Sequence, residues 1–244
     1  MIPAPKIVAI IQARMSSTRL PGKVLMPLAG APMLVRQLER VERARRIDRL
    51  VVATSDNPSD DIIAKTVRLE GVDCYRGPLD DVQARFVGAL NAFGPADHVV
   101  RLTADCPLID PAVIDEAIET HLQTGADYTS NTPDTGGYAK GLDVEVMTAA
   151  ALRAAATGPS GPEAREHVTW DLYHQPERFR AAWLSTGFKE SEVRWTVDRP
   201  DDYAFVATVY DALYRTKPAF TSDDVRAFVR ARPDLATFGG DRRA

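Results

Sequence analysis

The chain has 244 residues, 45% of them hydrophobic and 26% charged, the balance of a soluble globular protein with a full core of its own. A formal net charge of −4 argues against a general nucleic-acid or membrane-surface binder, so any anion site must be local. Two cysteines, Cys74 and Cys106, are too few for a disulfide framework and stand in no metal-ligand spacing. The apolar runs are far shorter than the roughly 20 residues needed to cross a bilayer. The start, Met1-Ile2-Pro3-Ala4-Pro5-Lys6, carries no signal-peptide pattern. The expectation is a cytoplasmic protein with reduced thiols and no membrane or nucleic-acid partner.

In chain order, the apolar run Ile7–Ile11 predicts a buried strand, followed by the loop Gln12–Lys23 with three cations, small hydroxyl residues and a Pro21-Gly22 break. A helix is predicted over about 32–45, with Leu34, Leu38 and Val41 on its apolar face and Arg36, Arg40 and Arg43 pointing to solvent. The run at 50–54 predicts a second strand. A helix capped by Ser59 or Asp60 follows it, with Ile62, Ile63, Val67 and Leu69 toward the sheet. A third helix is predicted from Asp81 to Asn91, a strand at 98–102, and a fourth helix after Asp110-Pro111 with Val113, Ile114, Ala117 and Ile118 inward. Strand and helix alternating in this way imply an α/β doubly wound sheet that collects ligands outside the carboxyl ends of its strands.

The second half is less regular. A short strand is expected at Asp127–Asn131, a Gly-rich loop from Pro133 to Gly141, and period-two alternation over Leu142–Val146 that puts Asp143 and Glu145 on one face. A helix from about Pro162 to His174 would carry Glu166 and His167. Strands near 179–184 and 193–197 and helices at about 200–214 and 222–231 complete the reading. The expected organisation is one domain over 1–244, with a substrate and dimerisation lobe at about 131–198.

The opening loop is neither G-x-x-x-x-G-K-[ST] nor G-x-G-x-x-G. Its setting between a buried strand and a helix still suits a polyanion, because backbone N–H groups and a helix start hold phosphate oxygens. Arg14 can grip two oxygens and Lys23 supplies a compact charge. Asp105 ends an apolar strand and is a natural ligand for Mg²⁺ beside substrate phosphates. Asp198 also ends an apolar run, and its residues leave helix cap and metal ligand both open. Asp201 and Asp202 read as acids of a first helical turn. Asp80 or Asp81 reads as a cap, while Arg76 and Arg85 are candidate contacts to phosphates or an acidic substrate. Asp143 and Glu145, if inward, need partners. Trp195 reads as core and Cys106 as a small buried residue. The arginines of 36–49 are expected on a solvated face.

The stretch Ile11-Gln12-Ala13-Arg14-Met15-Ser16-Ser17-Thr18-Arg19-Leu20-Pro21-Gly22-Lys23 resembles the opening of cytidylyltransferases that activate acidic sugars. Arg101-Leu102-Thr103-Ala104-Asp105-Cys106-Pro107-Leu108 and Val197-Asp198-Arg199-Pro200-Asp201-Asp202 are similar to the SpsF-type branch of spore-coat polysaccharide biosynthesis. Likeness to 3-deoxy-manno-octulosonate and acylneuraminate cytidylyltransferases is more distant. Those octulosonate enzymes carry Gln-Gly-Asp-Glu-Pro where this chain has Thr103-Ala104-Asp105-Cys106-Pro107. The resemblance implies a Rossmann-like nucleotide-diphospho-sugar transferase fold with a mostly parallel central sheet. It implies CTP on Ala13, Arg14, Ser16, Lys23 and Thr103, catalysis by Arg14, Lys23 and Asp105, and Mg²⁺ on Asp105 and Asp198. It further implies a small acidic acceptor near Arg76, Arg85, Asn131, Asp143, Glu145, Glu166 and His167, and a homodimer. A phosphonate or phosphorylated alcohol as acceptor, or a non-catalytic nucleotide-binding module, are the alternatives on the same fold.

Overall fold

The computed structural model describes residues 4–132, 137–158 and 161–244. Seven strands form its central sheet: β1 (Ile7–Gln12), β2 (Arg49–Ser55), β3 (Asp73–Gly77), β4 (His98–Thr103), β5 (Tyr128–Ser130), β6 (Glu145–Thr148) and β7 (Ala181–Trp183). They lie in the order β3-β2-β1-β4-β6-β5-β7. The pairs β1–β2, β1–β4, β2–β3 and β5–β7 are parallel; β4–β6 and β5–β6 are antiparallel. The expected mostly parallel Rossmann-like sheet is therefore present.

Strand periodicity sorts the core into two layers. Ile7, Ala9 and Ile11 pack with α1 (Met33–Val41), α4 (Pro111–Thr124), α8 (Pro200–Leu213) and α9 (Ser222–Arg230) on one face. Val8 and Ile10 pack with α3 (Val82–Phe93) and α5 (Ala149–Thr157) on the other. From β1 the chain runs outward to β2 and β3, then returns to place β4 on the opposite side of β1. That reversal opens a crevice at the carboxyl ends of β1 and β4, where Gln12 and Thr103 stand in register.

Several local expectations change. Helix α1 stops at Val41, because the Asp115 carboxylate accepts from the backbone N–H groups of Arg45 and Arg46 at 3.2 and 3.0 Å and holds them off the helix. Arg40 is not solvated; it is 1% exposed, donates to the Ile109 and Phe220 carbonyls at 2.7 and 3.0 Å, and lies over the Phe220 ring. Hydrogen bonds from a charged group, at about 1.5–3 kcal/mol each, offset the cost of burying it. Helix α2 (Asp61–Leu69) lies against the outer strands, and there Ile63 and Val67 reach the core while Ile62 and Leu69 stay exposed.

The helix expected over 162–174 is two short ones, α6 (Pro162–Glu166) and α7 (Trp170–His174), broken at His167 with φ −104° and ψ 80°. The break lets Val168 enter the core and turns Thr169 toward Glu145. Strand β6 starts at Glu145, so Asp143 precedes it and accepts instead from the Gly141 N–H at 2.7 Å. Residues 193–197 are not a sheet strand; Arg194 makes one bridge to Lys140, and the Trp195 N–H donates to the Lys140 carbonyl at 2.6 Å. Gly141 makes this possible. Its φ is +109°, and a Cβ there would stand 2.7 Å from the backbone of Trp195 and Thr196. Of the expected Gly-rich loop, 133–136 lie outside the described residues. Among the described residues no helix is long and apolar enough to cross a membrane.

One buried histidine, His121, makes stability pH-dependent. His121 of α4 sits with Nε2 3.0 Å from His98 Nδ1 and Nδ1 3.0 Å from the Thr129 hydroxyl. Burial, and secondarily the His98 charge, push His121 down from 6.5 to about 4. Below its ordinary pKa the unfolded chain takes up a proton that the folded chain refuses. Stability is therefore full above about pH 6.5 and is lost progressively toward pH 4, by at most on the order of 3 kcal/mol from this group. Urea denaturation at pH 7 and pH 5 should show a larger loss for the wild-type chain than for His121→Gln. Equal losses would remove His121 as the cause.

Candidate active site

The loop after β1 is held from several directions. Its Met15 N–H donates to Asp60 at 2.8 Å, and the N–H groups of Ser17 and Gly22 both donate to the Met15 carbonyl at 2.9 Å. Asp60, one of the two residues expected to cap α2, stands at its N-cap position but makes no side-chain cap hydrogen bond. It is fully buried instead, accepting from the Ser55 backbone and hydroxyl as well as from Met15. Gly22 adopts φ +72°, a left-handed turn in which a Cβ would crowd the Met15 side chain. That turn sends Lys23 back beneath the loop.

Lys23 is 7% exposed. Its ammonium donates to Asp105 Oδ2 at 3.0 Å, Asp198 Oδ1 at 3.0 Å and the Val197 carbonyl at 2.6 Å. Three donors of the ammonium thus meet three acceptors from segments 82 to 175 residues away. The Val197 N–H docks on the Asp105 carbonyl at 2.8 Å, which brings the two acids side by side. Arg19 and Arg194 also reach Asp198, at 2.8 and 2.7 Å. Burial would raise the Asp198 carboxyl, but the hydrogen bonds from Lys23 and Arg194 and the Arg19 charge hold it below the usual range. Asp198 caps nothing; Asp202 accepts from the backbone of Asp198 and Arg199, both at 2.9 Å, and pairs with Arg194 and the buried Arg243.

Around this centre lies a cleft of about 240 Å³, lined by Gln12, Ala13 and Arg14, by Ser17, Thr18 and Arg19, and by Thr103 and Ala104 with the two acids. A second compartment, about 200 Å³, shares Gln12–Arg14 with the first and adds Arg85, Arg101, Glu166 and His167. A third, about 400 Å³, shares Arg101 and His167 and is walled by Tyr128, Tyr173 and Trp183. In its floor Glu145 pairs with Arg101 and accepts from the Tyr128 and Thr169 hydroxyls at 2.5 and 2.6 Å. Burial would raise Glu145, but the Arg101 charge and the two hydroxyls hold its carboxyl down.

Of the candidate residues, Ala13, Arg14, Lys23, Thr103, Asp105 and Asp198 meet at the first cleft, and Arg85, Glu145, Glu166 and His167 at the other two. Ser16 is exposed and lines none of them; Ser17 and Thr18 do. Arg76 is spent elsewhere, on the Ser55 and Asn57 carbonyls and on Asp61. Asn131 ties the Leu142 carbonyl to the Val144 N–H at 2.7 and 2.8 Å and lines none of these three compartments. Asp143 lines none either; burial, with Asp105 and Glu145 nearby, raises its carboxyl against the Gly141 N–H. Cys106 is buried, and that burial with the Asp105 and Asp143 charges raises its thiol well above the ordinary value, the state of a small inert core residue. Asp81 caps α3 through the Ala84 N–H at 2.7 Å. Sequence reasoning missed Arg194, whose only signal is its place four residues before Asp198 in an extended segment. It also missed Arg101, hidden inside an apolar strand.

Residues 8–193 match the family model described as Cytidylyltransferase. The chain is 33% identical to the spore coat polysaccharide biosynthesis protein SpsF of Bacillus subtilis, covering 95% of this chain and 97% of that one. It is 31% identical to a 3-deoxy-manno-octulosonate cytidylyltransferase of Anaeromyxobacter dehalogenans, over 94% and 98%. Among solved structures, a cytidylyltransferase from Leptospira borgpetersenii superposes with a TM-score of 0.88 at 28% identity, over 95% of this chain and 97% of that one. A CMP:2-keto-3-deoxy-manno-octonic acid synthetase solved with CTP shares the fold, with a TM-score of 0.63 at 17% identity over 86% and 99%.

The shared ammonium predicts coupling between two distant segments. Lys23→Met should lower stability by about 2 kcal/mol, reduced from a fully buried pair because Asp105 is partly solvated. Asp198→Asn should cost less on the Lys23→Met background than in the wild-type chain, read as a double-mutant cycle by urea denaturation. Simple additivity would mean the contact is not energetically coupled.

Proposed function

From the premise that this chain belongs to the cytidylyltransferase family and is a CTP-dependent nucleotidyltransferase, we propose that it transfers CMP to a small acidic sugar and releases pyrophosphate. The observation that carries this reading is the cationic cleft at the switch point of the sheet. There the loop cation Arg14 lines a space of about 240 Å³ beside Asp105 and Asp198, which are paired with Lys23 and Arg19 of the same loop. Arg14 is exposed and free to grip two phosphate oxygens; Ser17 and Thr18 add hydroxyl donors along the same wall. An acceptor oxygen attacks the α-phosphorus of CTP, the new P–O bond forms as the bond to the bridging oxygen breaks, and the electron pair leaves with pyrophosphate. No covalent intermediate with the protein is required, so these residues act by holding the reactants in line and neutralising charge.

Asp105 and Asp198 fit a divalent cation. One oxygen of each already lies 3.0 Å from a common cationic centre, the Lys23 ammonium. Among the described residues no third His, Cys, Asp or Glu joins them into a metal cluster. That donor set suits Mg²⁺, which takes one or two carboxylates and fills its shell with phosphate oxygens and water. When bound there, Mg²⁺ would supply neutralisation of phosphate charge and of the leaving pyrophosphate.

The test is pyrophosphate release from each of the four NTPs with a panel of acidic sugars and their neutral counterparts. CTP with an acidic sugar should be the productive pair, EDTA should abolish release, and Arg14→Ala should lower kcat/KM by roughly 100-fold. Release with no pair, together with no Mg²⁺-dependent CTP binding, would sink the proposal.

A further inference from the structure

Arg85 stands out among the buried charges. It lies one turn into α3, is 2% exposed, and none of the described residues pairs with it. Its Nε and Nη1 atoms are buried without a hydrogen-bond partner. A guanidinium left this way is costly, unlike Arg40, Arg226 and Arg243, whose buried guanidiniums all have acceptors. Arg85 lines the middle compartment, and so does Arg14, whose charge is close enough to repel it. Two guanidiniums facing one small cleft create a demand for negative charge. The Asp60, Asp56 and Asp81 carboxylates attract Arg85 from beyond ion-pair range, and the Glu166 carboxylate on the rim is exposed and, among the described residues, forms no ion pair with either guanidinium, so no acid in contact meets that demand.

We propose that Arg85 is the receptor for the acceptor's anionic group, with Arg14 between it and the nucleotide phosphates. This deepens the reading above and rests on it. The placement follows from what each compartment offers. The first has its own loop cations and hydroxyls for a triphosphate. The third has aromatic walls and the neutralised Arg101–Glu145 pair, a lining that takes a sugar body by ring stacking and hydroxyl contacts but offers no spare positive charge. The middle compartment, about 200 Å³, joins the other two through Arg14 on one side and Arg101 and His167 on the other. A carboxylate or phosphate of the acceptor bound there stands next to the phosphate cleft while its carbon skeleton extends into the aromatic cavity. Selectivity for acidic over neutral sugars is then set by one buried side chain on α3, and not by the Arg-rich opening loop.

The test uses small probes, so that it does not depend on knowing the acceptor. Pyruvate and inorganic phosphate are titrated against chloride at constant ionic strength, with thermal stability as the readout and no nucleotide present. The wild-type chain should be stabilised by at least one of the two, with an apparent affinity at least about tenfold higher than in Arg85→Met, the loss expected for one charge-assisted contact. Without any anion Arg85→Met should melt at or above the wild-type temperature, because it removes an unpaired buried charge; a structural arginine would give a lower melting temperature. Glu166→Gln, at an exposed position, should raise the anion affinity. In the same preparations the affinity for CTP should change by less than about twofold in Arg85→Met. No anion effect, or no difference between wild type and Arg85→Met, overturns the proposal. So does a parallel tenfold loss of CTP affinity, which would give Arg85 to the nucleotide. If CTP does not bind the wild-type chain at all, the cytidylyl reading fails while the anion titration still decides whether Arg85 holds an oxyanion.

Discussion

A single ammonium joins the ends of the site. Lys23 has three protons to donate, and it finds acceptors on Asp105, Asp198 and the Val197 carbonyl. The first comes from the strand beside β1, the others from a segment near the end of the chain. None of these groups is close to Lys23 in sequence, and each would be poorly matched without it: two adjacent carboxylates would repel, and a buried carbonyl would lack a donor. The left-handed turn at Gly22 and the buried Asp60 beneath Met15 exist in service of this contact, since together they fold the loop back so that the lysine points inward. Segment 194–199 has no strand partner in the sheet and is held by the same centre, through the Val197 N–H on Asp105 and through Arg194 on Asp198 and Asp202.

The sheet order explains why this centre lies where it does. With β2 on one side of β1 and β4 on the other, the chain reverses its direction of travel across the sheet at β1, and the crevice lies at the carboxyl ends of these two central strands. The opening loop fills one wall and Thr103–Asp105 the other. The antiparallel pairs at β6 then carry the sheet sideways, which adds the two further compartments along Arg101, Glu145 and His167. A row of three connected clefts, cationic at one end and aromatic at the other, is the form expected of a site that must hold a polyanion and a second molecule in contact.

Much of this was legible from residue order. Strand runs at 7–11, 50–54 and 98–102, the Asp110-Pro111 helix start and the acids at strand ends are local patterns, and local patterns survive folding because burial and capping act on neighbours. Asp105 was readable as a cleft residue because a carboxylate following an apolar strand sits at the edge where ligands gather, whereas the residues around Asp198 left helix cap and metal ligand both open, and its place beside Asp105 came from the fold. The arginines were not readable in the same way. Arg36–Arg49 looks like one solvated face, yet Arg40 is buried because the Ile109 and Phe220 carbonyls, 69 and 180 residues away, need its donors. Asn131 and Arg76 looked like ligands for an acceptor and serve the backbone of their own neighbourhood.

By itself, then, the sequence determined the α/β class, the positions of the first strands and helices, the phosphate-seeking character of the opening loop, and the family. These follow from hydrophobic period, turn chemistry and motif, all of which are short-range. The tertiary structure decided which charges are spent and which are free. Lys23 and Arg101 are neutralised by acids that arrive from far along the chain, while Arg85, hidden on the inward side of a helix, has no such acid in contact among the described residues. Pairing of charges depends on distances of a few ångströms between segments that share no sequence proximity, and no pattern along the chain encodes those distances.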